Sequence, residues 1–139
     1  GEMTAGAHPY LATPEHTAQA RAILGPGKLL APEQGVAFGE TVEEARKIAA
    51  AGVSFYKSLP NYRNNWLRLG FTDAEIDADS DRFIDAIVAC GSIDVMAQRV
   101  RQHLDAGADH VCIQIIAPQG APDVEALRGQ FRQLAEALL

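Results

Sequence analysis

Apolar residues recur at helical spacing through most of this chain. After Thr41, the positions Ala45, Ile48, Ala49 and Phe55 form one stripe. Ile93, Ala97, Val100 and Leu104 form a second, and Leu127, Phe131, Leu134 and Leu138 a third. The boundary residues agree with these stripes. Thr13 before Pro14 predicts an N-cap with proline at the first helical position, and Gly25 a stop. Thr41 with Glu44, and Thr72 with Glu75, have capping-box spacing. Pro60 ends or bends the helix begun at Thr41, because its ring lacks a donor and clashes with the preceding turn. Asn61 is then expected to cap the next helix, with Trp66 and Leu69 packing down. A further helix is expected from about Arg82 to Ala89, ended by Gly91. Ser92 caps the one after it, and "DAGA", Asp105 to Ala108, closes that one.

Strand signals are fewer. "HVCIQII", His110 to Ile116, is the strongest, with Val111, Ile113 and Ile115 on one face and Cys112, Gln114 and Ile116 on the other. Both faces are mostly apolar, as in a parallel strand covered on both sides. "QGVAFG", Gln34 to Gly39, is a second strand, with Pro32 just ahead of it. "AGAHPYL", Ala5 to Leu11, is a third and weaker one. Strand, helix, strand, several helices, strand, helix is βαβ order, which predicts an α/β chain with a parallel sheet. Three strands cannot close a (β/α)8 barrel, which takes about eight, so the chain reads as part of something larger.

Composition narrows the function classes. A chain of 139 residues with 47% hydrophobic residues suits one domain with a real core. Its formal net charge of −6 argues against general nucleic-acid binding, which relies on clustered Lys and Arg. No apolar run approaches the roughly 20 residues that span a bilayer, and no signal-peptide pattern opens the chain. Cys90 and Cys112 are far apart in apolar surroundings and form no metal-type pair, which suits buried thiols in a cytoplasmic protein. No zinc ligand set is visible. Walker A, G-x-G-x-x-G, G-x-S-x-G and H-E-x-x-H patterns are likewise absent from the sequence.

Four blocks, in this order and spacing, carry a family resemblance. They are "GAHPYLATPEHTAQAR", "LLAPEQGVAFGET-EEAR", "LPNYRNNWLRLGFTDAEI" and "HLDAGADHVCIQII". Together they resemble the C-terminal half of luciferase-like oxidoreductases and monooxygenases, closest to the branch that uses the deazaflavin coenzyme F-420. The resemblance runs from about Gly6 to Ile116 and continues into the last helix. It implies a (β/α)8 TIM barrel of which residues 1–139 supply one partial domain, strands six to eight with their helices. It further implies hydride transfer between coenzyme F-420, or alternatively FMN, and a small organic substrate. The family's first five strands have no counterpart in this sequence. Where relatives carry "ADG", this chain has Thr4-Ala5-Gly6.

Within that mapping, His8, Pro9 and Tyr10 follow the sixth strand at the catalytic end of the barrel. His8 is the candidate catalytic residue, able to donate a hydrogen bond or move a proton near neutral pH. Tyr10 is a candidate cofactor contact, against the bland reading of a loop packed on the next helix. Gln114, the one polar side chain inside the last strand, either reaches a cofactor or satisfies a neighbouring strand. The stretch from Tyr56 to Asn65 packs over the barrel mouth or extends towards a neighbouring subunit. Tyr62, Arg63 and Asn64 there have the flat faces, charge and hydrogen-bonding groups that suit a planar ring with a phosphorylated tail. The alternative is a helix–turn–helix elbow and no more. For a phosphate, the Thr13 cap and the Gly120–Asp123 region are the best-placed nests, although Asp123 would repel the ligand. Glu33 and Gln34 are expected to cap a turn at the opposite end. His110 is expected to be structural, and His16 and His103 to lie at the surface or cap helices.

Two functions remain open at this point. One is an oxidoreductase completed by its other half, by a separate chain or by self-association. The other is a truncated relative without activity that self-associates as a binding module. Either way, an open parallel edge predicts a homo-oligomer.

Overall fold

The computed structural model describes residues 4–118, 120 and 123–139. Its elements run β1 (Gly6–Ala7), α1 (Pro14–Leu24), β2 (Leu29–Leu30), β3 (Glu33–Ala37), α2 (Val42–Lys57), α3 (Pro60–Arg68) and α4 (Asp73–Asp77). There follow α5 (Asp81–Ile87), β4 (Val88–Cys90), α6 (Ile93–Asp105), β5 (Cys112–Ile115) and α7 (Val124–Leu138). The chain is therefore α/β with parallel strands, as its order of elements implied. The described residues hold five strand segments in place of the expected three, in a two-stranded sheet β1–β2 and a three-stranded sheet β4–β3–β5.

One stretch of backbone joins the two sheets. The amides of Leu29, Ala31 and Glu33 donate to the carbonyls of Ala5, Ala7 and Pro9 at 3.1, 3.0 and 2.8 Å. Ala37, four residues on along the same edge, accepts from Gly91 at 3.3 Å, where β4 takes over from β1. The even-numbered carbonyls of Leu30, Pro32 and Val36 face the other way, accepting from Asp109, Cys112 and Ile116 at 2.9, 2.9 and 2.8 Å. Residues 29–37 thus have β1 and then β4 on one edge and β5 on the other. Pro32, expected ahead of a strand, sits between its two halves.

Local signals explain most boundaries. The Thr13 hydroxyl accepts from the His16 amide, and Gly25 ends α1 at φ 77°. Thr72 and Glu75 complete a reciprocal capping box at α4. Pro60 does not merely break a helix: it occupies the first turn of α3, where Leu59 and not Asn61 is the N-cap. The helix expected to Ala89 stops at Ile87, and Val88 turns to extended backbone at φ −128°, ψ 133°. No loop residue separates α5 from β4, so "IVAC" carries no sign of the change.

The core has two parts. Ala45, Ala49, Val53, Trp66, Phe71, Ile76, Phe83, Ile84 and Ile87 bury against Ala37, Val88 and Cys90. Val36 and Ala89, alternating to the other side, meet Met96 and Leu134. Phe55 does not belong to the α2 stripe; it is 67% exposed, and Val53 takes the buried position. Leu104 and Phe131 are exposed as well. On α6 the buried run is Met96, Ala97, Val100 and His103.

β1 approaches β2 closely. A Cβ at Gly6 would lie 2.1 Å from the Leu29 carbonyl oxygen, a backbone atom that cannot move aside. Gly6→Ala is expected to detach β1. Hydrogen exchange would show it as lost protection at the Leu29 and Ala31 amides, with β3 and α2 unchanged. Full protection in the variant would contradict this packing.

Candidate functional site

Five segments bring one polar and aromatic cluster together. The chain leaving β1 carries His8 and Tyr10, the 29–37 strand carries Glu33, α2 and α3 carry Tyr56 and Tyr62, and β5 carries Gln114. Tyr10 is placed by the residue after it. Leu11 is 3% exposed with φ at 49°, a left-handed conformation uncommon for leucine. The Trp66 indole N–H donates to its carbonyl at 3.2 Å, which ties the loop to α3.

The Tyr10 hydroxyl donates to Gln114 Oε1 at 2.7 Å and accepts from the Tyr56 hydroxyl at 3.3 Å. The three tyrosine rings meet at 5.0 to 6.2 Å between centroids, Tyr62 edge-on to both others. His8 Nδ1–H donates to the Ala31 carbonyl at 2.5 Å, and its Nε2 faces Glu33 Oε2 at 3.7 Å. With Nδ1–H held by that carbonyl, Nε2 is the ring nitrogen turned towards the carboxyl.

The electrostatics follow from partial burial. Burial raises the Tyr10 hydroxyl far above the ordinary phenol value, with the Tyr56 hydrogen bond and the Glu33 charge acting the same way. Burial likewise raises Tyr62, helped by Tyr56 and Glu33. Burial also raises the Glu33 carboxyl above its usual value, opposed by His8 and Tyr10, which favour its charged form. Both phenols are therefore neutral donors across the physiological range.

The expected site residues divide. His8, Tyr10, Tyr62 and Gln114 come together. Arg63 pairs instead with Asp73 and Asp77 of α4, its Nη1 2.8 Å from Asp77 Oδ1. Asn64 is exposed on α3. The Thr13 hydroxyl is taken by its own helix. The phosphate candidate at Gly120–Asp123 includes residues 121 and 122, outside the described residues, and Asp123 itself caps α7.

Glu33 opens β3, as its position after Pro32 implied, but instead of capping a turn its carboxylate faces His8, Oε2 lying 3.7 Å from His8 Nε2. Gln34 and His103 are corrected too, since both are fully buried. The Thr17 hydroxyl lies 2.8 Å from His103 Nδ1, and His103 Nε2 lies 2.8 Å from Gln34 Oε1. Gln34 Nε2 in turn donates to the Gly35 carbonyl at 2.7 Å. This network ties α1, α6 and β3 together beneath the site.

Other features have structural uses. Cys90 is buried, and burial lifts its thiol to about 12, well outside the reactive range. Among the described residues there is no cluster of three or more metal-ligating side chains and no helix long and apolar enough to cross a membrane.

No family model matches the chain, and no curated protein matches it. Among solved structures it is similar to an F420-dependent secondary alcohol dehydrogenase in complex with an F420-acetone adduct, with a TM-score of 0.62 at 13% identity. The likeness covers 97% of this chain and 43% of that one, so this chain spans less than half the length of the protein it matches. At that identity, what the two share is a fold.

Proposed function

We propose that the chain forms the C-terminal strands of a luciferase-like (β/α)8 barrel and takes part in hydride transfer between coenzyme F-420 and a small organic substrate. The observation that carries this reading is the convergence of His8, Tyr10 and Gln114 around the α2–α3 tyrosines. In barrels, chemistry gathers where the chain leaves the strands. The fold likeness supports the same assignment.

The cluster suits the ring end of such a coenzyme. Phenol hydroxyls and an amide can bond a heteroaromatic edge, and tyrosine faces can lie against a flat ring. It suits the phosphorylated tail less well, because Glu33 brings negative charge and Arg63 is held by α4. Bound here, coenzyme F-420 would supply the hydride acceptor or donor. Tyr10 and Gln114 would orient the ring edge, and Tyr56 and Tyr62 would keep water from it. Nothing in the cluster distinguishes a deazaflavin from FMN.

A second reading, self-association without turnover, has its own support. Ile23 is 85% and Leu29 55% exposed. Ile23 also lines a cleft of about 470 Å³ with Ala7, Pro9, Leu24 and Arg68. Apolar surface beside a strand edge favours a second copy.

Fluorescence titration with coenzyme F-420, with FMN in parallel, separates the two. The expected result is saturable binding in the micromolar range, weakened about tenfold by Tyr10→Phe through loss of a charge-free hydrogen bond and its network. Sedimentation of the same sample reports its association state. Dimers that bind neither compound would leave the second reading standing and remove the first.

A further inference from the structure

We propose that a second copy of this chain docks along the free edge of β5, the two β5 strands pairing antiparallel across a two-fold axis that sets one Gln114 beside the other. The proposal rests on the self-association reading, and gives it an interface and a consequence for the site.

Among the described residues β5 is an edge strand, with β3 on one side only. The amides of Cys112 and Ile116 donate to the carbonyls of Pro32 and Val36. By alternation, the backbone groups of Val111, Ile113 and Ile115 point away from that strand. From Val111 to Ile116 the edge holds no charge and no proline. No residue of β5 is fully buried, whereas all of β4 is, and all of β3 after Glu33. Such an edge is a template for another strand. The edge near Ile23 and Leu29 is a poorer one, because β1 is two residues long and Lys28 Nζ already donates to the Thr4 carbonyl there.

α7 supplies the second layer. Leu134 joins Met96 of α6 in one cluster, against which Ile113 and Ile115 pack, and Arg101 of α6 donates to the Ala137 carbonyl. To the other side of Leu134, away from α6, α7 presents Val124 at 62% exposure, Phe131 at 48% and a half-buried Leu138. Seven residues apart in turn, these three form one apolar seam along the helix.

Both features are their own complement. With the axis at Gln114, Ile113 and Ile115 exchange backbone bonds with Ile115 and Ile113 of the partner subunit. The α7 helices then run antiparallel, and with Phe131 on Phe131 each Val124 falls opposite Leu138 of the partner subunit. A register two residues away in either direction would oppose Gln114 to Cys112 or Ile116, setting an amide against an apolar side chain. Gln114 is exposed; its Oε1 accepts from Tyr10, and its Nε2 has no bond among the described residues. The second amide fills that vacancy, so the site around Tyr10 is complete only in the dimer.

Sedimentation and cross-linking of the whole chain test this. Wild type is expected to dimerise in the micromolar range, and Phe131→Lys to weaken the dimer at least about tenfold. Gln114→Cys, with Cys112→Ser, should form a disulfide-linked dimer under mild oxidation, because facing residues of such a pair lie about 4.5 Å apart at Cα. Ile23→Cys with the same Cys112→Ser should stay unlinked. A dimer indifferent to Phe131→Lys, or one linked through Ile23→Cys and not through Gln114→Cys, would overturn this interface and leave self-association standing. A monomer throughout the micromolar range would remove the self-association reading itself.

Discussion

Replacing Trp66 by alanine is expected to lower the unfolding free energy by about 3–5 kcal/mol, the usual cost of deleting a fully buried large aromatic. Trp66 is 0% exposed, packs edge-on against Phe83 at 5.0 Å and lies tilted against Tyr62 at 6.0 Å. The loss compares with a total of roughly 5–15 kcal/mol for an ordinary domain, so the variant should be partly unfolded at modest denaturant concentrations. The indole has a second task. Its N–H holds the Leu11 carbonyl in a left-handed turn that costs about 1 kcal/mol or more to maintain. Trp66→Phe, which keeps most of the packing, should lose less stability and still release that turn, disturbing Tyr10 in NMR spectra. Urea titrations of both variants are the check. A Trp66→Ala midpoint indistinguishable from wild type would show that the core does not depend on this ring.

Acid is expected to unfold the protein earlier than its exposed carboxylates alone would allow, because of His103. Burial, reinforced by the Arg99 charge, lowers the His103 pKa from 6.5 to about 4. The folded state therefore favours the neutral ring, with Nε2–H donating to Gln34 and Nδ1 accepting from Thr17. A depressed pKa contributes stability that is complete above 6.5, declines as pH falls, and is gone below about 4. Its magnitude is about 3 kcal/mol. His16, lowered chiefly by burial, acts in the same direction. Stability measured from pH 7 to 4 should thus fall more steeply in wild type than in His103→Gln, whose side chain does not titrate. Parallel profiles would mean that the network tolerates a charged ring.

How much of this was legible in the sequence depended on periodicity. The capped helices could be read because Thr13, Thr41, Thr72 and Ser92 each have the spacing that their hydrogen bonds require. β4 could not, because three apolar residues directly after a helix give neither a period nor a turn. On α6, Val100 belongs equally to a stripe ending at Leu104 and to one ending at His103. Only packing against Gln34 decides that the histidine is the buried one. The site was half visible for a related reason. His8, Tyr10 and Gln114 stand out as polar groups on or beside a strand. Glu33 does not, since its place depends on where residues 29–37 find their partners. Arg63 had the right chemistry for a phosphate, but nothing local foretells the pull of Asp73 and Asp77.

The shared strand at residues 29–37 sets an order of events during synthesis. Its later neighbours Val88 and Gln114 leave the ribosome only about 50 and about 80 residues after Gly35 does. Meanwhile β1 can cover only the first half of one edge, and the edge bearing Leu30, Pro32 and Val36 stays bare. A bare strand edge on a nascent chain is open to pairing with other chains. The first cover to emerge is α2, whose Ala45, Ala49 and Val53 shield a face but not an edge. The last is β5, which brings Gln114 with it, so the edge closes and Tyr10 gains its partner in the same step.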